Sequence, residues 1–527
     1  MQKFSLSFLT LVLTISLTAQ APADPAIRWA QTITVEDLQT HLNILASDEM
    51  EGRETGKPGQ ERAARYLEGV VKSFGLPGVG QDNTYSQPIS FISERWKEIE
   101  LSINGKEQRH LWDFYAYPTK NADRSTVTYD EIIYLGYGIK TDQYNDYANL
   151  DLNGKAILIM DGEPTDEAGN SLLTGTNTLS DWSNNLDRKL RAAKEAGVST
   201  VFILDPNFQK NLSQARKIAL DSRMHMGFGE NPADNYANSV FLSPETARRM
   251  LGRKYKKVVK ARKRISKKEK PKSVTIPLEL SLTQTKNVRQ LQGENIMGFV
   301  EGSDHALKDQ TIIVTAHYDH IGRRGKEIFN GADDNGSGTS TVLEVCQAFA
   351  QAKAAGQGPR RSVLFMWVSG EEKGLLGSQY YVENPVLPLE NAVANINVDM
   401  VGRVDEKHAD NPQYIYVIGS DRLSSELHAI TEAVNAKYTH LELDYTYNAE
   451  DDPNRYYYRS DHYNFAERGI PAVFFFNGTH PDYHQPTDTV DKINFEKMVS
   501  IGQLVFHTAW ELANRDKRIE VDVPQGR

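Results

Sequence analysis

Four short apolar runs in the second half of the chain constrain its fold more than any other feature: Thr311 to Ala316, Ser362 to Val368, Ala392 to Val398 and Ile470 to Phe476. Each has the length of a strand, and stretches with helical signals separate them, which predicts a parallel sheet with covering helices. The predicted class is therefore α/β, a mixed, largely parallel sheet flanked by helices. In such sheets the loops at the carboxyl ends of the strands surround one crevice, so the residues that follow the runs are the informative ones.

Those residues are polar in every case. The first run leads into His317-Tyr318-Asp319-His320, the second into Ser369-Gly370-Glu371-Glu372, the third into Asp399-Met400, and the fourth into a loop holding His480, Tyr483 and His484. A glycine-rich turn into a helix, Gly331-Ala332-Asp333-Asp334-Asn335-Gly336-Ser337-Gly338, lies between the first two. Two histidines, one or two aspartates and a glutamate converging from separate strand ends make an oxygen and nitrogen donor set suited to a borderline metal such as zinc. A carboxylate can bridge two metals about 3.5–4 Å apart, and such a pair clamps an attacking water and polarises a carbonyl oxygen. The chemistry indicated is hydrolysis. His317 and Asp319 are two apart and share a face, so Asp319 is placed to orient the imidazole. Of Glu371 and Glu372, one can bind metal and the other can take a proton. Phosphate binding at the glycine-rich turn is disfavoured, because Asp333 and Asp334 would repel the ligand and the lysine of a phosphate-binding loop is missing.

A chain of 527 residues argues for more than one domain, and 39% hydrophobic with 25% charged residues is an ordinary globular composition. The net charge of -10 argues against nucleic acid as the main partner. The single cysteine, Cys346, excludes an intramolecular disulfide; with Val342, Leu343, Val345 and Phe349 on a core face, it reads as a buried, inert thiol. Lys3, the apolar run Phe4 to Leu17 and the small residues Ala19, Ala21 and Ala23 have the order of a secretory signal peptide, assigned to residues 1–23. The run is too short to span a bilayer, and no cysteine follows it to carry a lipid anchor. The mature protein is expected to be soluble, secreted or periplasmic, with no membrane span.

After the leader, Val35, Leu38, Leu42 and Leu45, and then Ala63 to Phe74, recur at helical spacing, with a loop from Ser47 to Gly59 between them. From about Trp96 the chain turns β-rich, with strands expected at Glu131 to Ile139, Lys155 to Met160 and Thr200 to Leu204 around a helix at Leu186 to Ala196. This section behaves as a separate module. It contains Arg248 to Lys272, a run of 14 Lys or Arg against the single acid Glu269, so that a segment of charge +13 is averaged with a remainder of -23. The run could meet an anionic surface, but Met250, Leu251, Tyr255, Val258 and Val259 can seat a helix on the module, and a solvated helix is the simpler reading. The expected partition is 24–95 and 286–527 for the domain that carries the metal-binding pattern, split in sequence, with 96–285 inserted.

Taken together, these motifs resemble the secreted di-zinc aminopeptidases of metallopeptidase clan MH, relatives of glutamate carboxypeptidase and the transferrin receptor. The resemblance rests on Leu45-Ala46-Ser47-Asp48 through Gly59, His317 with Asp319, Asp333 in its turn, Glu371-Glu372, Asn397-Val398-Asp399-Met400, Ser460-Asp461-His462, and Tyr483-His484 with Asp488-Thr489. It implies two Zn2+ per chain, one held by His317 and Asp399 and the other by Glu372 and His484, with Asp333 bridging. It also implies Glu371 as general base, Tyr483 as a hydrogen-bond partner of the tetrahedral intermediate, and a cis peptide between Asp333 and Asp334. The middle section is similar to a protease-associated (PA) domain. Peptides are the implied substrates. A carboxypeptidase or glutaminyl cyclase of the same clan is the alternative, and a non-catalytic receptor-like homologue a more distant one. His320, His462 and His480 read as structural, Asp461 and Asp488 as groups supporting the ligands, and Arg455 and Arg459 as possible anchors for a substrate carboxylate.

Overall fold

The computed structural model describes residues 24–220, 223–227 and 232–524; the expected leader lies outside them. The chain divides into two compact units, residues 1–87 with 294–527 and residues 88–293.

The first unit is built on the four apolar runs. The strand Thr311–His317 lies between Ser362–Val368 and Ala392–Val398, parallel to both, and Ala472–Phe476 runs parallel to Ala392–Val398 on its far side. Beyond it Tyr414–Ile418 pairs antiparallel and Glu442–Asp444 closes that edge. At the other edge residues 296–300 pair antiparallel with Ser362–Val368, so the sheet is mixed but largely parallel, as expected. All seven residues of each of the three inner strands, Thr311–His317, Ser362–Val368 and Ala392–Val398, are buried, which is why they read as continuous apolar runs rather than as alternating ones.

Helices cover both faces. Ile312, Val314 and Ala316 point into one layer with Val342, Leu343 and Cys346 of Gly338–Ala354, Leu504 and Val505 of Phe495–Asn514, and Leu38 and Leu42 of Val35–Leu45. Ile313 points the other way, toward Tyr381 and Val382 of Leu376–Glu383 and Phe465 of His462–Glu467. Burial of the Cys346 thiol pushes its pKa well above the ordinary value, in keeping with an inert core group.

The second unit combines a sheet with covering helices, as the strand and helix signals along it suggest. Its sheet runs from residues 274–284 through Arg124–Gly136, Ala156–Met160, Thr200–Leu204 and Asn238–Leu242 to Phe114–Tyr115. The strand expected from Glu131 begins at Arg124, because Val127, Thr128 and Tyr129 pair with residues 280–282. The helix Leu186–Glu195 covers one face through Leu190 and Ala193. The basic run forms two helices, Pro244–Leu251 and Tyr255–Lys268; the first and the early part of the second, through Met250, Leu251, Val258 and Ala261, cover the other face.

Candidate functional site

In the first unit the polar residues after the strands converge. His317, the last residue of its strand, is 1% exposed. Its Nδ1 donates to the backbone carbonyl of Asp319 at 3.0 Å, which leaves the Nε2 lone pair free to face the cavity. The orienting acceptor is thus the Asp319 carbonyl, not its carboxylate, which lies 4.0 Å away and accepts from Thr55 Oγ1 (2.7 Å) and the Glu371 N–H (3.1 Å).

Around His317 Nε2 lie Asp399 Oδ1 at 3.3 Å, Asp334 Oδ1 at 3.5 Å and Glu371 Oε2 at 3.9 Å. The other Asp334 oxygen, Oδ2, is 3.0 Å from His484 Nε2, which is itself 3.3 Å from Glu372 Oε1. Asp334 therefore presents one oxygen to each histidine. Ser460 Oγ donates to the outer oxygen of Asp399 at 2.7 Å and holds that carboxylate in place.

This corrects one expected ligand. Asp333 does not enter the cavity: its carboxylate accepts the Gly402 N–H (2.7 Å) and Asn477 Nδ2 (3.2 Å) and meets His480 Nε2 at 3.1 Å. The cis peptide likewise lies between Asp334 and Asn335, not between Asp333 and Asp334. The cause is the loop's course. The N–H groups of Asp333 and Asp334 donate to the Asp488 carboxylate at 2.9 and 3.2 Å, so this piece of backbone is anchored and the two neighbouring side chains leave it in different directions. Gly331 permits the turn, with φ of 55° and a Cβ position only 2.2 Å from the Asp334 carbonyl oxygen.

Two residues read from sequence as structural or as plain loop belong to the site's surroundings. His320 Nδ1 lies 2.9 Å from Glu372 Oε1 and 3.7 Å from Asp334 Oδ2, so His320 and His484 flank the same pair of carboxylates. His484 lines the pocket whereas His320 is fully buried behind it. Arg53, within the loop after the helix Val35–Leu45, is buried and spends its donors on the carbonyls of Leu45, Tyr318, Asn330 and Gly331. The spacing His317-x-x-His320 is a usable signal for the first; the second lies inside the Leu45 to Gly59 segment that carries the resemblance, where no pattern singles it out. Asp461 accepts from Ser378, and burial raises its pKa to about 7. His462 stacks on Phe474 in the interior.

Electrostatics identify what the cluster requires. Burial disfavours a charged His317, yet Asp399 and Glu371 outweigh it and hold its pKa well above the ordinary value. Burial also opposes a charged His484, but Asp334 and Glu372 lift it to about 10. Glu372 resists its burial through His320 and His484 and stays well below the usual carboxylate range. Glu371 is pushed well above that range by burial, opposed only in part by His317 and reinforced by Glu372, Asp399 and Asp461. Four carboxylates packed this closely call for positive charge. The spacing also fits a metal. Zinc bonds of about 2.0–2.1 Å in a tetrahedron place neighbouring donor atoms about 3.4 Å apart, and the donor pairs from Asp399 to His317, His317 to Asp334, Asp334 to His484 and His484 to Glu372 measure 3.0–3.5 Å.

The pocket above this cluster is walled by Met400, Tyr456, Phe474 and Phe476 on one side, with Tyr483 and Arg459 at its rim. Tyr483 stacks on the His484 ring at 3.9 Å, and Arg459 Nη2 donates to its hydroxyl at 3.4 Å. Arg455 lies over Tyr458 and does not line the pocket.

A probable leucine aminopeptidase of Arthroderma otae is 33% identical over 213 residues, covering 39% of this chain and 55% of that protein. Aminopeptidase YwaD of Bacillus subtilis is 29% identical over 259 residues, covering 48% and 51%. The chain thus spans about half the length of the curated relatives it matches. The solved aminopeptidase from Aneurinibacillus sp. strain AM-1 superposes with a TM-score of 0.55 at 20% identity, covering 95% of this chain and all of that one, a likeness of fold. The segment that carries the strand ends and every pocket residue named above matches peptidase family M28, and the chain therefore contains an M28 peptidase domain over residues 295–509.

Proposed function

We propose that the chain is a zinc-dependent aminopeptidase that removes N-terminal residues from peptides. The observation that carries this reading is the Asp334 carboxylate, with one oxygen 3.5 Å from His317 Nε2, which also meets Asp399, and the other 3.0 Å from His484 Nε2, which also meets Glu372. Two ions would find donors there, one in His317, Asp334 and Asp399 and the other in Asp334, Glu372 and His484. When bound, the ions supply positive charge that acidifies water and polarises the scissile carbonyl.

The chain's own groups do the rest. Glu371 stands beside the cluster without joining the bridge, and its raised affinity for a proton suits a general base that takes one from the attacking water and returns it to the leaving amine. Tyr483, held by the His484 ring and Arg459, offers its hydroxyl to the oxygen that gains charge as the carbonyl becomes tetrahedral. The apolar wall of Met400, Phe474 and Phe476 favours an apolar first side chain, and the excess of carboxylates favours a substrate amine over a substrate carboxylate.

The inserted unit is read as a PA-type module and the chain as an exported protein, the latter on the strength of the Lys3 to Ala23 pattern. No helix among the described residues is long and apolar enough to cross a membrane.

The test is a mass-spectrometric scan of a mixed peptide pool with wild-type and Glu371→Ala protein, with and without chelator. N-terminal trimming that chelation abolishes is expected, with turnover by Glu371→Ala reduced at least about 100-fold while zinc content is kept. Trimming from the carboxyl end, or undiminished turnover by the variant, would overturn the assignment.

A further inference from the structure

The second unit carries a surface that hydrolysis does not use. In the helix Tyr255–Lys268 the residues Val258, Ala261 and Ile265 are buried at 4%, 4% and 1% exposure. At 100° per residue, Lys256, Lys257, Lys260, Lys263, Arg264, Lys267 and Lys268 fall within a sector of about 140° that borders that face and contains none of its residues. All seven are exposed, and among the described residues none forms an ion pair. Cations at positions three and four apart, such as Lys256 and Lys260 or Lys263 and Lys267, repel one another and weaken the helix, and among the described residues no acid pairs with the row to offset this.

The surface continues at the preceding helix. Arg249 Nη2 reaches Asp113 Oδ1 at 2.8 Å, and the neighbouring Trp112 is 58% exposed with the Arg109 guanidinium 4.9 Å from its ring centre. Arg248 lies over Tyr255 and joins the two helices.

We propose that this surface docks the protein on an anionic lipid bilayer. A straight helix of about 21 Å presents its row of cations to a plane, where all seven reach headgroups at once. A single exposed tryptophan among cations suits the interfacial layer, where an amphipathic ring rests at headgroup level. The row has no exposed apolar side chain that would insert, so the contact is peripheral and electrostatic. Single-stranded nucleic acid would ask for a series of exposed rings to stack its bases, and Trp112 is the one large aromatic side chain exposed in this unit among the described residues. The charge of -23 on the rest of the chain also disfavours a polyanion that wraps the molecule.

The experiment is co-sedimentation of the full chain with large vesicles of phosphatidylcholine alone or with about 30% phosphatidylglycerol, at low and at 0.3 M salt. Each cation near such a surface strengthens binding about five-fold, so the variant Lys256→Gln/Lys260→Gln/Lys263→Gln/Lys267→Gln should lose at least about 100-fold in affinity for the anionic vesicles. Binding should fall steeply with salt. Trp112→Ala should weaken it several-fold and leave the salt dependence unchanged. Helix content by circular dichroism and hydrolysis of a soluble peptide should be the same in all variants. Equal binding to the two vesicle types, wild-type affinity in the four-site variant, or tighter binding to duplex DNA than to the anionic vesicles at equal phosphate would each overturn the proposal.

Discussion

Replacing Arg53 by Met removes a charge that the first unit uses as a four-way clamp. Arg53 is 1% exposed, and its Nε donates to the Tyr318 carbonyl at 2.8 Å, Nη1 to Leu45 and Asn330 at 2.6 and 2.7 Å, and Nη2 to Gly331 at 2.9 Å. No carboxylate lies in contact with it among the described residues. Burial lowers its pKa, opposed by the field of Asp334, Asp488, Asp319 and Glu372, and the resulting value of about 10 keeps it charged at neutral pH. Hydrogen bonds from a charged donor contribute about 1.5–3 kcal/mol each, and a buried carbonyl left without a donor costs about 1–3 kcal/mol. Met fills the space of the stem, so the loss is that of four acceptors, relieved in part by relaxation; about 4 kcal/mol remains. For a unit of this size that corresponds to a fall in Tm of about 6 °C in scanning calorimetry. Arg53→Lys, with one compact ammonium that can serve only some of the four carbonyls, should recover roughly half. Because Tyr318 and Gly331 flank His317 and Asp334, zinc per chain measured on the same samples should also drop in Arg53→Met. A fall in Tm below about 3 °C for Arg53→Met would refute the clamp.

The correction at the glycine-rich turn yields a paired prediction: Asp334→Asn should lose at least one zinc equivalent by elemental analysis, whereas Asp333→Asn should keep its metal and lose about 1–2 kcal/mol of stability through its bonds to Gly402, Asn477 and His480. Acid should destabilise the fold through its interior histidines. Burial lowers the pKa of His462 to about 3 and of His507 to about 4, against 6.5 unfolded, so below pH 6.5 the unfolded chain binds protons that the native state refuses. Their stability is complete above about pH 6.5 and falls as pH drops toward 4. His507, stacked on Tyr438 at 3.7 Å, can be replaced by Phe, and Tm measured from pH 4 to 7 should then fall less steeply than in the wild type.

Much of the fold is legible in the sequence because burial on both faces leaves a plain record. The inner strands read as unbroken apolar runs, and they occur within two residues of the expected limits. The second unit was harder to read. Its sheet takes strand pairs from distant residues, such as Phe114 with Leu242, and its division from the first unit falls at Pro88 and Gly293, inside strands where no loop composition marks it.

At the site the sequence by itself determined which residue types gather and where. A parallel sheet brings its strand ends to one crevice, and His317, Glu371, Glu372, Asp399 and His484 are all there. It could not distinguish Asp333 from Asp334, two identical side chains on adjacent residues. Only the tertiary structure decided that, because the direction of each carboxylate follows from the anchoring of their shared backbone on Asp488, a residue from a distant loop. Arg53 and His320 became visible for the same reason. Their partners are backbone carbonyls and carboxylates brought close by the fold; the spacing His317-x-x-His320 marks His320 as a candidate, but only the packed chain shows what either residue touches.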